Sequence, residues 1–331
     1  MRALVYAAPR RVILEDCPRP HPAAGEVEIA VVAAGICGAD ISGFLGRSRR
    51  RTPPLILGHE LVGRTRDGRR VVADPLVSCG RCADCLDGRE NFCSGLRLLG
   101  MDRMAGCFAE FVSVPESQMY EIPDDLEDAR AVFAEPLANI VHLFRLAAPS
   151  LPFRMGIVGA GTMGSLALKM ALHMGVREVL VEDVDEVRLA GARRMGATLA
   201  VNSETGRGEV RSFAGRGLDL VLDASGEERA RQAAFELCRP GGTVVLLGMA
   251  KERSELDFGV SIRKEHRALM SFGYTPVDFR RSLDLLVAGE IDLRPWTAEM
   301  PLDEGQRAFE KMIGSRGDAL KMVLRVRSLN R

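Results

Sequence analysis

Hydrophobic and polar positions change rhythm twice along the chain. Over residues 1 to about 130, short apolar alternations at 3–6, 27–32, 71–73 and 108–114 are broken by Gly, Pro and charged turns. Period-two runs of this length, bounded by turn formers, predict an antiparallel β domain, and the N-terminal twenty residues read as a pair of strands. From about 138 to 268 the rhythm becomes strand–helix–strand. Residues 154–158 are apolar, 163–174 carry helical spacing, 178–182 are apolar again, 187–195 are helical, and 219–223 and 243–247 are further short strands. That alternation predicts a parallel sheet with crossover helices. The Gly-, Arg- and Ser-rich stretch 203–217 reads as a polar loop and helix start. The tail predicts an amphipathic helix at 279–288, a second helix at 303–313 and a final strand at 321–326. No internal repeat or low-complexity tract interrupts this plan.

Length and charge narrow the picture. A chain of 331 residues is comfortable as two domains. Forty-five basic residues balance forty-five acidic ones, so no net field draws the molecule to nucleic acid or anionic lipid. The basic run 47–51 (RSRRR) reads as a solvated surface loop, with a contact to an anionic substrate as the alternative. The N-terminus lacks the apolar core of a secretory signal, and no stretch approaches the roughly 20 apolar residues of a membrane span. A cytoplasmic location with reduced cysteines is the expectation.

Four of the eight cysteines crowd into the segment from Cys79 to Cys93, spaced C-x2-C-x2-C-x7-C. Short x2 loops let neighbouring thiolates point at one ion, and Cys79, Cys82, Cys85 and Cys93 are the predicted ligands of a tetrahedral zinc. Four sulfurs close the coordination shell, so the role predicted is structural.

Gly159-Ala-Gly161-Thr162-Met163-Gly164 reads G-x-G-x-x-G after an apolar strand and at the start of a helix. The glycines permit a tight turn and close approach of backbone N–H groups to a pyrophosphate at the helix N-terminus. Asp183 ends the next strand, where its carboxylate would accept hydrogen bonds from the adenosine ribose and repel a 2′-phosphate. NAD is therefore expected over NADP. Arg188, a turn later, is the residue that would weaken that preference.

Three further segments carry metal-ligand chemistry: Cys37 in Gly35-Ile-Cys37-Gly-Ala-Asp40, His59 and Glu60 in Gly58-His-Glu60, and Glu135 in Glu135-Pro-Leu-Ala-Asn139. With the cysteine cluster, Gly106-Cys-Phe-Ala-Glu-Phe111, the Gly159 fingerprint, Asp223-Ala-Ser-Gly226 and Gly241-Gly-Thr-Val-Val-Leu-Leu-Gly248, they make the chain resemble the zinc-dependent medium-chain dehydrogenases. The resemblance covers nearly the whole chain and is closest to the polyol and threonine dehydrogenase branch. It implies an α/β protein with a GroES-like catalytic domain (1–137, completed by 269–331) and a Rossmann NAD domain (138–268), with the active site between them. It implies two zinc ions per chain. Cys37, His59 and Glu135 would hold the catalytic ion, Glu60 would be a conditional ligand, and Asp40 would orient His59. Gly248 and the Phe272 backbone match segments lining the nicotinamide pocket. The implied partner is a small alcohol or ketone, in a homo-oligomer of two or four chains.

The implied chemistry is hydride transfer between a secondary alcohol and NAD, with zinc polarising the reacting oxygen. The alternatives are an L-threonine or amino-alcohol dehydrogenase, and a catalytically silent zinc- and NAD-binding relative. Departures from the family pattern cluster near Cys37. Ala39 replaces the usual hydroxyl that relays the substrate proton, and Ser42 stands where short-chain alcohol enzymes carry His. Gly43 and Gly273 replace an aromatic and an Arg that contact polyols. A roomier pocket is one consequence, and compensation by neighbours such as Phe44 and Tyr274 is the other. After Gly58-His-Glu60 the chain also shortens a hairpin to Arg64-Thr-Arg-Asp-Gly68.

Overall fold

The computed structural model describes residues 1–150, 153–314 and 319–326. The chain divides into two compact units, Met1–Glu135 with Thr275–Arg331, and Pro136–Tyr274. The divisions fall two residues before 137/138 and six after 268/269. The second difference has a plain cause: Arg267–Met270 is the outermost strand of the parallel sheet, so the chain leaves that sheet only after it.

In the first unit the eleven-residue strand Glu26–Ile36 is the axis of a seven-stranded sheet. Glu60–Thr65 pairs antiparallel with it on one side, and Lys321–Arg325 pairs antiparallel with its C-terminal end on the other. In this register Gly35 lies opposite both Glu60 and Val323. A segment near the end of the sequence is thus set beside one near its beginning. The predicted N-terminal strand pair is present as Arg2–Ala8 and Arg11–Asp16, in a separate three-stranded sheet with Leu55–Ile56. Behind the sheet, Phe44 stacks on Phe309 at 4.8 Å between ring centres, and Phe108 meets Phe309 edge-on. These rings pin the short helix Gly38–Phe44 and the helix Gly305–Ile313 to one core. The tail helix expected at 279–288 begins earlier, at Pro276, because Thr275 and Asp278 form a reciprocal cap at its start. The strand Thr297–Pro301, parallel to Lys321–Arg325, has no clear periodic signal in the sequence and exists through that pairing.

The second unit is a six-stranded parallel sheet in the order Leu199–Asn202, Val179–Asp183, Met155–Val158, Leu218–Asp223, Cys238–Leu246, Arg267–Met270. Numbered along the chain this is 3-2-1-4-5-6, the dinucleotide-binding order of the Rossmann fold. The stretch 203–217 contains the helix Arg207–Ala214. Among the described residues no helix is long and apolar enough to cross a membrane.

Candidate metal centres and cofactor site

Cys79, Cys82, Cys85 and Cys93 converge so that their sulfurs all lie within 4.8 Å of one another. Cys82 caps the one-turn helix Ala83–Leu86, which sets Cys85 Sγ 3.4 Å from Cys82 Sγ. Backbone N–H groups of Cys79 and Gly95 both point at Cys93 Sγ, at 3.3 Å. Backbone N–H groups of Arg81 and Cys82 pull the Cys79 thiol down to about 6. Burial, followed by the neighbouring sulfurs, pushes Cys85 up to about 11. Thiols this close, surrounded by backbone donors that favour thiolates, fit a cation that replaces their protons.

The second group forms only through tertiary contact. Cys37, at the end of the strand Glu26–Ile36, is the N-cap of the helix Gly38–Phe44, and Asp40 accepts its backbone N–H at 3.1 Å. Glu60 opens the neighbouring strand Glu60–Thr65, and His59 lies just before it. Donor atoms of Cys37, His59 and Glu60 lie within 4.8 Å of one another. Gly58, just before His59, has φ of 95° and packs so closely on Phe108 that a Cβ would sit 2.4 Å from the ring. The turn that delivers His59 therefore needs glycine on two counts.

Asp40 is completely buried, with Oδ1 3.5 Å from His59 Nδ1. Burial alone would raise its pKa, but His59, Arg51 and the Cys37 N–H together hold it below the ordinary value. His59 responds in the opposite sense. Burial favours its neutral ring, yet Asp40 and Cys37 raise its pKa well above the usual value. The cluster thus attracts positive charge, and a metal ion taking a ring nitrogen would displace that proton.

Two cations in this centre were not singled out as site residues by sequence reasoning. Lys321 is buried, and its Nζ donates to both oxygens of Glu60 at 2.7 Å. The carboxylate itself lies over Gly35, where a Cβ would come within 2.1 Å of Oε2. Arg51 is also buried, and its Nε lies 3.6 Å from Asp40 Oδ1. The signal for Lys321 was a charge directly before the apolar run Met322–Leu324. Arg51 was hidden in a run that resembles solvated surface, which Arg47, Arg49 and Arg50 are.

Glu135 lies half-buried in the first turn of the helix Ala134–Ala147. It is outside the Cys37–His59–Glu60 group, although its charge helps to raise the Lys321 pKa. The small residues also have separate explanations. Gly43 is crossed by the Arg51 stem: a Cβ on this glycine would lie 2.8 Å from Arg51 Cδ, so the space an aromatic would fill is taken. Gly273 has φ of 59°, a conformation that disfavours arginine there. Phe44 is committed to the core stack and Tyr274 is buried.

In the second unit, Gly159 has φ of 107°, and a Cβ on Gly164 would come within 1.8 Å of the Gly159 carbonyl oxygen. The helix Thr162–His173 can therefore start directly against the strand, with Gly161 as its N-cap and Thr162 and Met163 half-exposed in its first turn. Asp183 Oδ2 accepts the Ala160 N–H at 2.7 Å, while Oδ1 accepts those of Val184 and Asp185. Arg188 lies 3.6 Å from both Asp183 and Asp185, turned towards these acids. Gly248 packs against Gly226, a Cβ there falling 2.0 Å from its nitrogen, and Phe272 is half-exposed.

Residues 23–124 match the alcohol dehydrogenase GroES-like domain, and residues 162–288 match the zinc-binding dehydrogenase family. The chain is 32% identical over 328 residues to L-threonine 3-dehydrogenase of Saccharopolyspora erythraea, covering 94% of this chain and 95% of that protein. Alcohol dehydrogenase from Thermus sp. ATN1 superposes with a TM-score of 0.92 at 28% identity, covering 99% of this chain and all of that one. A short chain alcohol dehydrogenase from E. coli CFT073, complexed with NADH, gives 0.91 at 28% identity over 98% of this chain and 99% of that one. With both donor clusters, the 3-2-1-4-5-6 sheet and these relatives in agreement, the chain belongs to the zinc-dependent medium-chain dehydrogenase family.

Proposed function

We propose that the protein transfers a hydride between a secondary alcohol, polyol-like or bulkier, and NAD, using Cys37, His59 and Glu135 with Glu60 as the catalytic metal donors. The observation that carries this reading is the approach of Cys37, His59 and Glu60 within 4.8 Å of one another, from the end of one strand and the start of its neighbour. Zinc bound there supplies a Lewis acid that favours loss of the hydroxyl proton. Asp40 fixes the ring of His59. Lys321 restrains Glu60, so that this carboxylate reaches a metal only by giving up part of its pair. Ala39 has no hydroxyl, and the substrate proton leaves through a carboxylate of the centre, Glu60 or Glu135. Asp183 takes the adenosine ribose, which favours NAD over NADP. Gly159, Gly161 and Gly164 admit the pyrophosphate, while Gly248 and the Phe272 backbone line the nicotinamide end.

A second zinc, held by the four cysteines, completes a complement of two per chain. None of the eight cysteines is in a disulfide, which suits the cytoplasm. A homo-oligomer, dimer or tetramer, would use the second unit: its outer strand Arg267–Met270 and the helix Phe258–Arg263 expose Phe258, Ile262 and Met270.

Metal analysis together with a screen of alcohols and ketones against NAD and NADP tests the reading. Two zinc ions per chain and NAD-linked oxidation of secondary alcohols are expected; one zinc and no turnover would indicate a silent relative. L-Threonine belongs in the screen, because similarity to L-threonine 3-dehydrogenase favours it as the second reading.

A further inference from the structure

The second unit carries an arginine with no part in the chemistry described so far. Arg231 lies on the helix Glu228–Leu237, with its side chain only 13% exposed. Its Nη2 donates to two carbonyl oxygens, of Gly248 at 3.0 Å and of Lys251 at 2.7 Å, and Nη1 donates to Ser254 Oγ at 2.7 Å. Nε lies 3.5 Å from Asp223 Oδ2. The other carboxylate oxygen of Asp223 accepts the N–H groups of Ser225 and Gly226. One guanidinium thus joins the turn that leaves the strand Leu218–Asp223 to the loop that leaves Cys238–Leu246. These strands are parallel neighbours, and both connections stand at their carboxyl ends, the edge at which this type of sheet binds its ligand.

The loop has little else to hold its near end. Residues 247–257 contain no helix or strand. Met249 is 80% exposed, and 250–253 are exposed as well, so apolar burial contributes little there. Glu228 and Gln232, on the same face of the helix as Arg231, hold the far end through the N–H and carbonyl of Glu255. At the near end Gly248 meets Gly226 backbone to backbone, a Cβ on Gly248 falling 2.0 Å from the Gly226 nitrogen. That contact sets how near the two connections stand, and the Nη2 bonds to Gly248 and Lys251 set how the loop is turned. The Gly159 turn is held separately, by the Glu182 carbonyl and the Asp183 carboxylate.

We infer that Arg231 is a positioning residue for the nicotinamide half of the cofactor, on the reading that places this half at Gly248. It acts through the loop: the guanidinium fixes the Gly248 backbone, and the loop then meets the cofactor already ordered. Arginine suits the task because its planar group sends N–H bonds in several directions at once, where lysine offers a point charge.

Calorimetry of the zinc-loaded protein with NADH and with ADP, which lacks the nicotinamide half, tests this. The parent is expected to bind NADH about tenfold or more tighter than ADP. Arg231→Gln should weaken NADH by about tenfold and leave ADP within about twofold, because only the loop must now be ordered on binding. Arg231→Lys, which keeps a charge beside Asp223, should weaken NADH by about threefold. A second readout needs no cofactor: trypsin should cut after Lys251 or Arg253 about fivefold faster in Arg231→Gln than in the parent. Variants that keep the parent ratio of NADH to ADP affinity overturn the inference. Equal weakening of both ligands does the same, since a general loosening of the unit would produce it. If Arg231→Gln does not fold, Arg231→Lys is judged by the same ratio. Parent protein that binds NADH no tighter than ADP breaks the placement of the nicotinamide at Gly248, and the inference with it. A parent preference that the variants leave untouched breaks the Arg231 assignment alone.

Discussion

The two donor clusters of the first unit are built in opposite ways. The four cysteines lie within one short loop, where a one-turn helix and a few backbone N–H groups gather them. The Cys37–His59–Glu60 centre is assembled from separated strands and is surrounded by opposing charges, Asp40 with Arg51 and Glu60 with Lys321. A loop that closes on itself can stabilise a fold and offer nothing to a substrate. A centre drawn from several elements leaves donors whose positions depend on the whole sheet. The contrast extends to the second unit, where Glu182 is buried and the charge of Glu236 adds to the cost of ionising it.

The largest expected effect tests the division of labour between the clusters. Cys37→Ser should lower turnover by on the order of 10³-fold or more, about 4 kcal/mol of barrier, with an unchanged circular dichroism spectrum. Cys82→Ser should instead lower the melting temperature and release one zinc ion. Equal unfolding in both variants would erase the distinction.

Removing Lys321 tests whether the charged centre is held by its pairs. Lys321→Met leaves Glu60 buried without its cation and should cost about 3–5 kcal/mol in chemical denaturation. Adding Glu60→Gln should recover at least half of that loss, and a purely additive double variant would show that the pair is not coupled.

Glu182 supplies the opposite case. Burial, with Glu236 second, raises its pKa from 4.5 to about 7. The folded chain therefore holds this proton more tightly than the unfolded chain. Its contribution to stability is complete below about pH 4.5, falls as pH rises through about 7, and stays lost above that. Glu182→Gln should stabilise the protein by up to about 3 kcal/mol at about pH 8 and have little effect at about pH 4.5. A pH-independent gain would locate the effect in packing.

The smallest effect serves as a local reference. Asp185 caps the helix Glu186–Met195 by accepting the N–H groups of Val187 and Arg188. Asp185→Ala should cost about 1 kcal/mol in denaturation, leaving the catalytic zinc content at the parent level.

Much of this was legible because its physical basis is local. The cysteine spacing, the strand–glycine–helix fingerprint and the acid at the next strand end each involve residues within a few turns of one another. The helix at Pro276 and the partnering of Thr297–Pro301 were less legible, since one depended on a cap ahead of the apolar face and the other on a strand more than a dozen residues later. The basic run shows the limit most clearly. Its arginines divide into three that are solvated and one that is buried, and no pattern in the run separates them.

By itself the sequence determined the two-part architecture and the Rossmann sheet, and it supplied the candidate metal donors, because periodicity, glycine placement and thiol spacing are properties of short segments. Tertiary structure decided which charges share the centre. Opposing Gly35 to Glu60 on one side and Val323 on the other brings Lys321 to Glu60, and the empty side of Gly43 admits Arg51 next to Asp40. Charges interact through space at distances fixed by strand register and packing, so their pairing lies beyond what spacing along the chain can specify.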